Sequence, residues 1–91
     1  MNIEITRTAQ AYAAYLDGDR VGELTYVRDD DRVTALHTSV SPVAEGRGVG
    51  GALARALLDD AHAAGDTVVA QCQFVASYLD KHPEYNDVRA G

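Results

Sequence analysis

The sequence predicts an α/β domain built on a mixed sheet, with elements in the order β-β-β-β-α-β-α. Three observations carry that prediction. The first forty residues alternate apolar and polar side chains between turn signals. A glycine-rich loop then gives way to helical periodicity. A short apolar run and a second helical run close the chain. All 91 residues are read as one domain, because a chain of this length supports a single core and little more.

The elements follow in order. In NIEITRT (2–8), Ile3 and Ile5 stand against Asn2, Glu4 and Thr6, the period-two pattern of a half-buried strand. Asp17-Gly18-Asp19 is a hairpin signal between Tyr12–Leu16 and Val21–Val27, which should pair antiparallel. Asp29, Asp30 and Asp31, flanked by Arg28 and Arg32, read as a solvated turn into VTALHTSV (33–40), the fourth strand of a meander, with a negative rim that attracts a cationic substrate as the other reading. Beyond Pro42, Val49, Ala52, Leu53, Ala56, Leu57, Ala61 and Ala64 recur at helical spacing, and Gly65 is placed to cap the helix. TVVAQC (67–72) reads as a short strand buried on both faces. FVASYLDKH (74–82) reads as a closing helix that stops near His82, because Pro83 disfavours helix in the residue before it. A right-handed crossover through the first helix joins the fourth and fifth strands.

Composition narrows the function. With 46% hydrophobic and 24% charged residues, the chain matches an ordinary globular protein. No apolar run approaches the roughly 20 residues of a membrane span, and the first ten residues lack the pattern of a signal peptide, so a cytoplasmic location is expected. A net charge of −6 gains nothing from counterion release, which argues against nucleic-acid binding. Cys72 is the single cysteine, so no intramolecular disulfide or thiolate zinc cluster is available. His37, His62 and His82 have no ligand spacing, and no metal is expected.

The chemistry concentrates around the glycine loop. Gly46, Gly48, Gly50 and Gly51 fall within six positions ahead of an Ala/Leu-rich helix. Gly46-x-Gly48-x-x-Gly51 matches the dinucleotide fingerprint, but the preceding meander contradicts a dinucleotide fold, and no acidic residue ends the next strand. A nucleoside-triphosphate loop needs Gly-Lys-Ser/Thr, which is absent. What survives is physical: unbonded amides at a helix start favour an anion, and glycines let a phosphate approach closely. A phosphate-bearing ligand and a merely tight turn both fit.

The meander ending in HTSVSP, followed by EGRGVGGAL, resembles the acyl-CoA site of the GNAT superfamily of N-acyltransferases. Together with CQFVASYL and KHPEY, the resemblance covers nearly the whole chain and is nearest to a small, minimal subgroup. That family carries Gln/Arg-x-x-Gly-x-Gly/Ala before this helix. Gly48 and Gly50 match with Glu45 in the first position, and Arg47-x-x-Gly50-x-Ala52 fits in a second register. The resemblance implies a minimal GNAT-like fold that binds acetyl-CoA and transfers acetyl to a primary amine. It places the pyrophosphate on the amides of Gly46, Arg47, Gly48, Val49, Gly50 and Gly51. It places the pantetheine arm along the edge near Val40. Ser39 stands where the subgroup often has an acidic residue, so a carboxylate base is absent there.

Three side chains are candidates for chemistry. Tyr78, on the helix after the fifth strand, is the candidate acid by position in the family; otherwise it is a packed aromatic. Cys72, at the end of the fifth strand, can act as a nucleophile if its pKa is lowered, and is otherwise a core filler. His37 can act as a base or orient Cys72, with a structural histidine as the plainer reading. Alternation sets His37 and Ser39 on one face of the strand, and Leu36, Thr38 and Val40 on the other. Direct transfer is favoured over a cysteine relay, since the sequence shows nothing that activates the thiol. His62 reads as solvated and His82 as an anchor for the tail. The rival reading is a non-catalytic acyl-CoA-binding or protein-interaction module, because 91 residues leave little wall for an acceptor pocket.

Overall fold

A computed structural model describes residues 3–90. Five strands, β1 (Ile3–Arg7), β2 (Ala11–Leu16), β3 (Asp19–Asp29), β4 (Arg32–Val40) and β5 (Thr67–Ala70), form one sheet in sequence order. The first four pair antiparallel and β5 joins β4 in parallel. Helix α1 (Val49–Ala64) makes the crossover, and α2 (Gln73–Lys81) follows β5. The α/β class and element order agree with the sequence prediction; Asn2, assigned there to the first strand, lies outside the described residues.

Local chemistry explains the boundaries. Asp17 and Gly18 both adopt positive φ, 53° and 86°, as a two-residue hairpin that follows strand twist requires. Gly65 caps α1 in the left-handed region at φ 73°, with its N–H donating to the Ala61 and His62 carbonyls. His82 ends α2, its N–H donating to the carbonyl of Leu79.

Three expectations are corrected. The buried face of α1 is Val49, Gly50, Leu53, Ala54, Leu57, Leu58 and Ala61, whereas Ala52 and Ala56 are half-buried and Ala64 is exposed. The leucines, not the smaller alanines, set which face turns inward. Strand β5 ends at Ala70, not Cys72, and only Val68 in it is fully buried. The reason is that the core lies on one face of the sheet. Tyr12, Ala14, Leu24, Tyr26, Val33, Ala35 and Val68 point toward the helices and are buried. On the other face Glu23, Thr25, Thr34 and Val69 are half-buried, and His37, Ser39 and Val27 are exposed.

The third correction concerns β4. Thr25 pairs with His37 and Tyr26 with Ala35, so Leu36 is an extra residue in a bulge. The bulge changes the parity of the strand. Thr38 and Val40, opposite Leu24 and Gly22, face the core side, but Leu36 is left 39% exposed and does not share their face.

Two side-chain ties fix the helices. The Arg28 Nη2 lies 2.5 Å from Asp66 Oδ2, and this carboxylate, only 5% exposed, joins β3 to the α1–β5 turn. Tyr85 donates from its hydroxyl to Asp59 Oδ1 at 2.6 Å, and burial together with that bond pushes its pKa up to about 12. Beyond α2, the chain returns along β5: Val68 N–H donates to Val88 and Ala90 N–H donates to Val68.

Candidate active site

The parallel ladder between β4 and β5 spans only Arg32–Ala35 and Thr67–Ala70. It ends where the amides of Gln71 and Cys72 both donate to the carbonyl of Ala35, each at 3.0 Å. Past this point β4 continues along β3 to Val40, and Ser41 N–H still donates to Val21 at 2.7 Å. The two parallel strands therefore diverge into a wedge. One backbone edge of β4 beyond Leu36 has no strand beside it among the described residues, which is the geometry an extended ligand can extend as an added strand.

At the wide end of the wedge stands the glycine loop. Gly46 and Gly48 have φ of 81° and 80°, conformations that side-chain-bearing residues rarely take, with open space where a Cβ would project. Gly48 is the N-cap of α1 and no side chain closes that helix end. Gly22 on β3 fixes the end in place: a Cβ there would lie 2.8 Å from Val49 Cγ1, so its absence lets α1 settle on the sheet beside Val40. Val49 itself is 1% exposed, so only its backbone can meet a ligand. Gly50 serves packing as well: a Cβ there would lie 2.7 Å from Phe74 Cζ. A hollow of about 300 Å³, lined by Val40, Glu45, Gly46, Gly48, Gly50 and Phe74 among others, runs between the loop and the start of α2.

The three chemical candidates occupy different places. Cys72, 6% exposed, is the N-cap of α2, with Sγ 3.2 Å from Thr38 Oγ1. Burial pushes its thiol pKa up, but the Thr38 hydroxyl and the amides of Val75 and Phe74 at the helix start outweigh burial and bring it below its ordinary value. His37 projects from the opposite, open face of the sheet, beside the bulge where the wedge begins. It does not share the face on which Thr38 meets Cys72, so it does not orient the thiol. Tyr78 lies about 9 Å further along α2, six residues at the helical rise. Its ring stacks on His82 at 3.8 Å, and its Cε2 lies 3.7 Å from where a Gly51 Cβ would be. Burial raises its pKa. A separate hollow of about 430 Å³ joins Tyr78 to Gly48, Gly51, Ala52, Arg55 and Asp59.

The remaining histidines are engaged elsewhere. His62 Nδ1 is 2.5 Å from Asp87 Oδ2 on the surface, and His82 Nδ1 bonds the Tyr78 carbonyl at 2.8 Å. Among the described residues no three His, Cys, Asp or Glu side chains converge as a metal site. No described helix is long and apolar enough to cross a membrane.

The model of the GCN5-related N-acetyl-transferase family matches residues 11–88. The chain belongs to this family. Membership agrees with the sequence resemblance and with the wedge beside a glycine loop. A GCN5-like candidate N-acetyltransferase from Staphylococcus aureus is 29% identical; its structure aligns with a TM-score of 0.77 over 99% of this chain and 90% of its own. The ribosomal-protein-S18-alanine N-acetyltransferase of Escherichia coli shares the fold at 15% identity and a TM-score of 0.68, over 82% of this chain and 53% of its own. The ribosomal-protein-alanine N-acetyltransferase of Brucella melitensis biovar Abortus 2308 does so at 23% and 0.63, over 89% and 60%. This GNAT chain thus spans little more than half the length of those two larger enzymes. No curated protein matches the sequence significantly.

The sequence reading missed Thr38 and Phe74. Thr38 was legible only as an inward-facing strand residue; its meeting with Cys72 depends on the wedge. Phe74 carries the signal of an aromatic two residues past the cysteine, but in the sequence its partner Gly50 reads only as a place of close ligand approach.

Proposed function

We propose that this protein is an acetyl-CoA-dependent N-acetyltransferase acting on a primary amine. The observation that carries this reading is the β4–β5 wedge opening directly onto the glycine loop. In this reading the pyrophosphate sits on the amides of Gly46 to Gly51, and the pantetheine arm runs past Val40 toward Thr38 and Cys72. The thioester then lies between two faces: Cys72 on the helix side and His37 on the open side.

The lowered thiol pKa supports a relay in place of the direct transfer expected from the sequence. The Cys72 thiolate attacks the thioester carbonyl, the carbon–sulfur bond to CoA breaks, and CoA leaves as its thiolate. The acceptor amine then attacks S-acetyl-Cys72, the cysteine thiolate is released, and His37 takes the amine proton. Tyr78, in its separate hollow, is not assigned to the leaving thiolate. Incubation with acetyl-CoA alone should add one acetyl mass to the protein, and Cys72→Ala should abolish adduct and turnover together. Turnover that persists in Cys72→Ala without any wild-type adduct overturns the relay in favour of direct transfer.

One observation favours the second reading, a CoA-binding module without catalysis. Among the described residues the open sheet face has no second layer, so none of them walls an acceptor beside His37. CoA binding with neither adduct nor acetylated amine across a broad panel would select it.

A further inference from the structure

The open face of the sheet carries a polar cluster that the transfer chemistry does not use. Ala14 pairs with Gly22 but Tyr15 pairs with Arg20, so Val21 is an extra residue in β3. Val21 is buried, and the bulge turns Arg20 to the face that Glu23 occupies; in a regular strand, residues three apart point to opposite faces. There Arg20 Nη2 pairs with Glu23 Oε2. Glu23 stands directly across from Ser39 on β4, and Ser41 is held beside Val21 by donating its N–H to the Val21 carbonyl. Arg20, Glu23, Ser39 and Ser41 line an open hollow of about 480 Å³. Ser39 is two residues beyond His37 on the same face, about 7 Å along the strand. A cation, an anion and two hydroxyls thus sit a short chain length from the base.

We infer that this cluster reads the zwitterionic head group of the acceptor, so that the acceptor is a free diamino acid of the lysine type, acetylated on its side-chain amine. The inference rests on the acetyl-transfer reading above. Arg20 has only donors and takes the α-carboxylate, Glu23 has only acceptors and takes the α-ammonium, and Ser39 and Ser41 can serve either. A solvent-accessible Arg–Glu pair contributes little by itself, so exchanging its mutual contact for a head group of matching charges costs little. Four or five single bonds of about 1.5 Å span the distance from that head group to an amine beside His37. This amine attacks the acetyl carbon on Cys72, the carbon–sulfur bond breaks with its electron pair on Sγ, and His37 takes the amine proton. Recognition through the charged end needs no wall beside His37. A lysine within a protein has both α groups tied up in peptide bonds and offers the cluster no charge to read.

The test compares kcat/KM for transfer from acetyl-CoA to lysine, to 1,5-diaminopentane, which lacks the carboxylate, to 6-aminohexanoate, which lacks the α-amine, and to a lysyl peptide with blocked termini. In the wild type lysine should exceed each of the others about tenfold or more, the size of one charged hydrogen-bonding contact. Arg20→Gln should bring lysine down to the level of 1,5-diaminopentane, and Arg20→Lys should restore part of the preference. Glu23→Gln should bring lysine down to the level of 6-aminohexanoate. Where a variant fails to fold, the wild-type ratios still decide. Wild-type transfer to the blocked peptide or to the diamine as efficient as to lysine, or ratios unmoved in both folded variants, overturns the head-group assignment while leaving acetyl transfer intact. A Cys72 adduct with no transfer to any of these amines overturns the diamino-acid acceptor alone. Neither adduct nor acetylated amine overturns both.

Discussion

At Cys72 the sulfur is under two opposed influences. Removal from water favours the neutral thiol, whereas the Thr38 hydroxyl and the first amides of α2 favour the thiolate and prevail. A depressed pKa means the thiolate is the folded-state preference: it adds stability above the ordinary thiol pKa, and that contribution disappears as pH falls through the lowered value. Titration of the thiolate ultraviolet absorbance should give a midpoint below that of an ordinary cysteine. Thr38→Val should move the midpoint upward and Thr38→Ser should restore it. A midpoint unmoved by Thr38→Val would show that backbone amides, those of α2 and of Thr38 itself, act without the hydroxyl. The sequence made Cys72 a candidate by its place at a strand end; the groups that lower its pKa come from a helix start and a neighbouring strand. Position in the chain displays neither.

Between elements, the contact of α1 with α2 turns on one missing methyl group. Phe74 packs where a Gly50 Cβ would be, 2.7 Å from its Cζ, and so sets how closely α2 approaches the loop. Gly50→Ala should therefore change the melting temperature little, because pushing aside the far end of the 43% exposed Phe74 ring costs little and offsets a propensity gain of about 1 kcal/mol or less. In a Phe74→Ala background the same change should become stabilising. Thermal unfolding of the four proteins in this cycle measures the coupling, and an additive result would dissolve the contact. The extent of both helices was legible from periodicity, Gly65 and Pro83. The inward face of α1 was misjudged, since Ala52 and Leu53 look alike to a pattern of apolar positions but bury very different areas. β5 looked like a strand covered twice because TVVA is continuously apolar, yet helices cover only one side of it.

For the molecule as a whole, that one-sided cover is the main economy of a short chain. Both helices and the returning tail lie where the core residues are, and the far face of the sheet carries Glu23, Thr25, His37 and Ser39 toward solvent. The order β-β-β-β-α-β-α was readable from the switch between period two and period 3.6. The wedge was not, because it arises from one surplus residue in LHTSV that leaves composition and hydrophobicity unremarkable. Arg28 and Asp66 show the same limit on legibility: their ion pair spans strand and turn, and the sequence offered Arg28 only as the edge of a charged hairpin.

Leu36 makes β4 one residue longer than the partner it follows, and this surplus works as a stop on a zip. A regular β4 would keep its hydrogen-bond rhythm beyond Ala35 and invite β5 to close alongside as far as Cys72. Deleting Leu36 should therefore give a protein that stays folded and unfolds at an equal or higher temperature, because the pairings of Ala35 with Tyr26 and of His37 with Thr25 both survive. It should also lose CoA-induced thermal stabilisation, which only a native-state ligand site can supply. Undiminished stabilisation by CoA in that variant would locate the opening elsewhere. A slightly imperfect sheet is thus the condition for the opening between β4 and β5: a seam with no flaw in it has nowhere to let a substrate through.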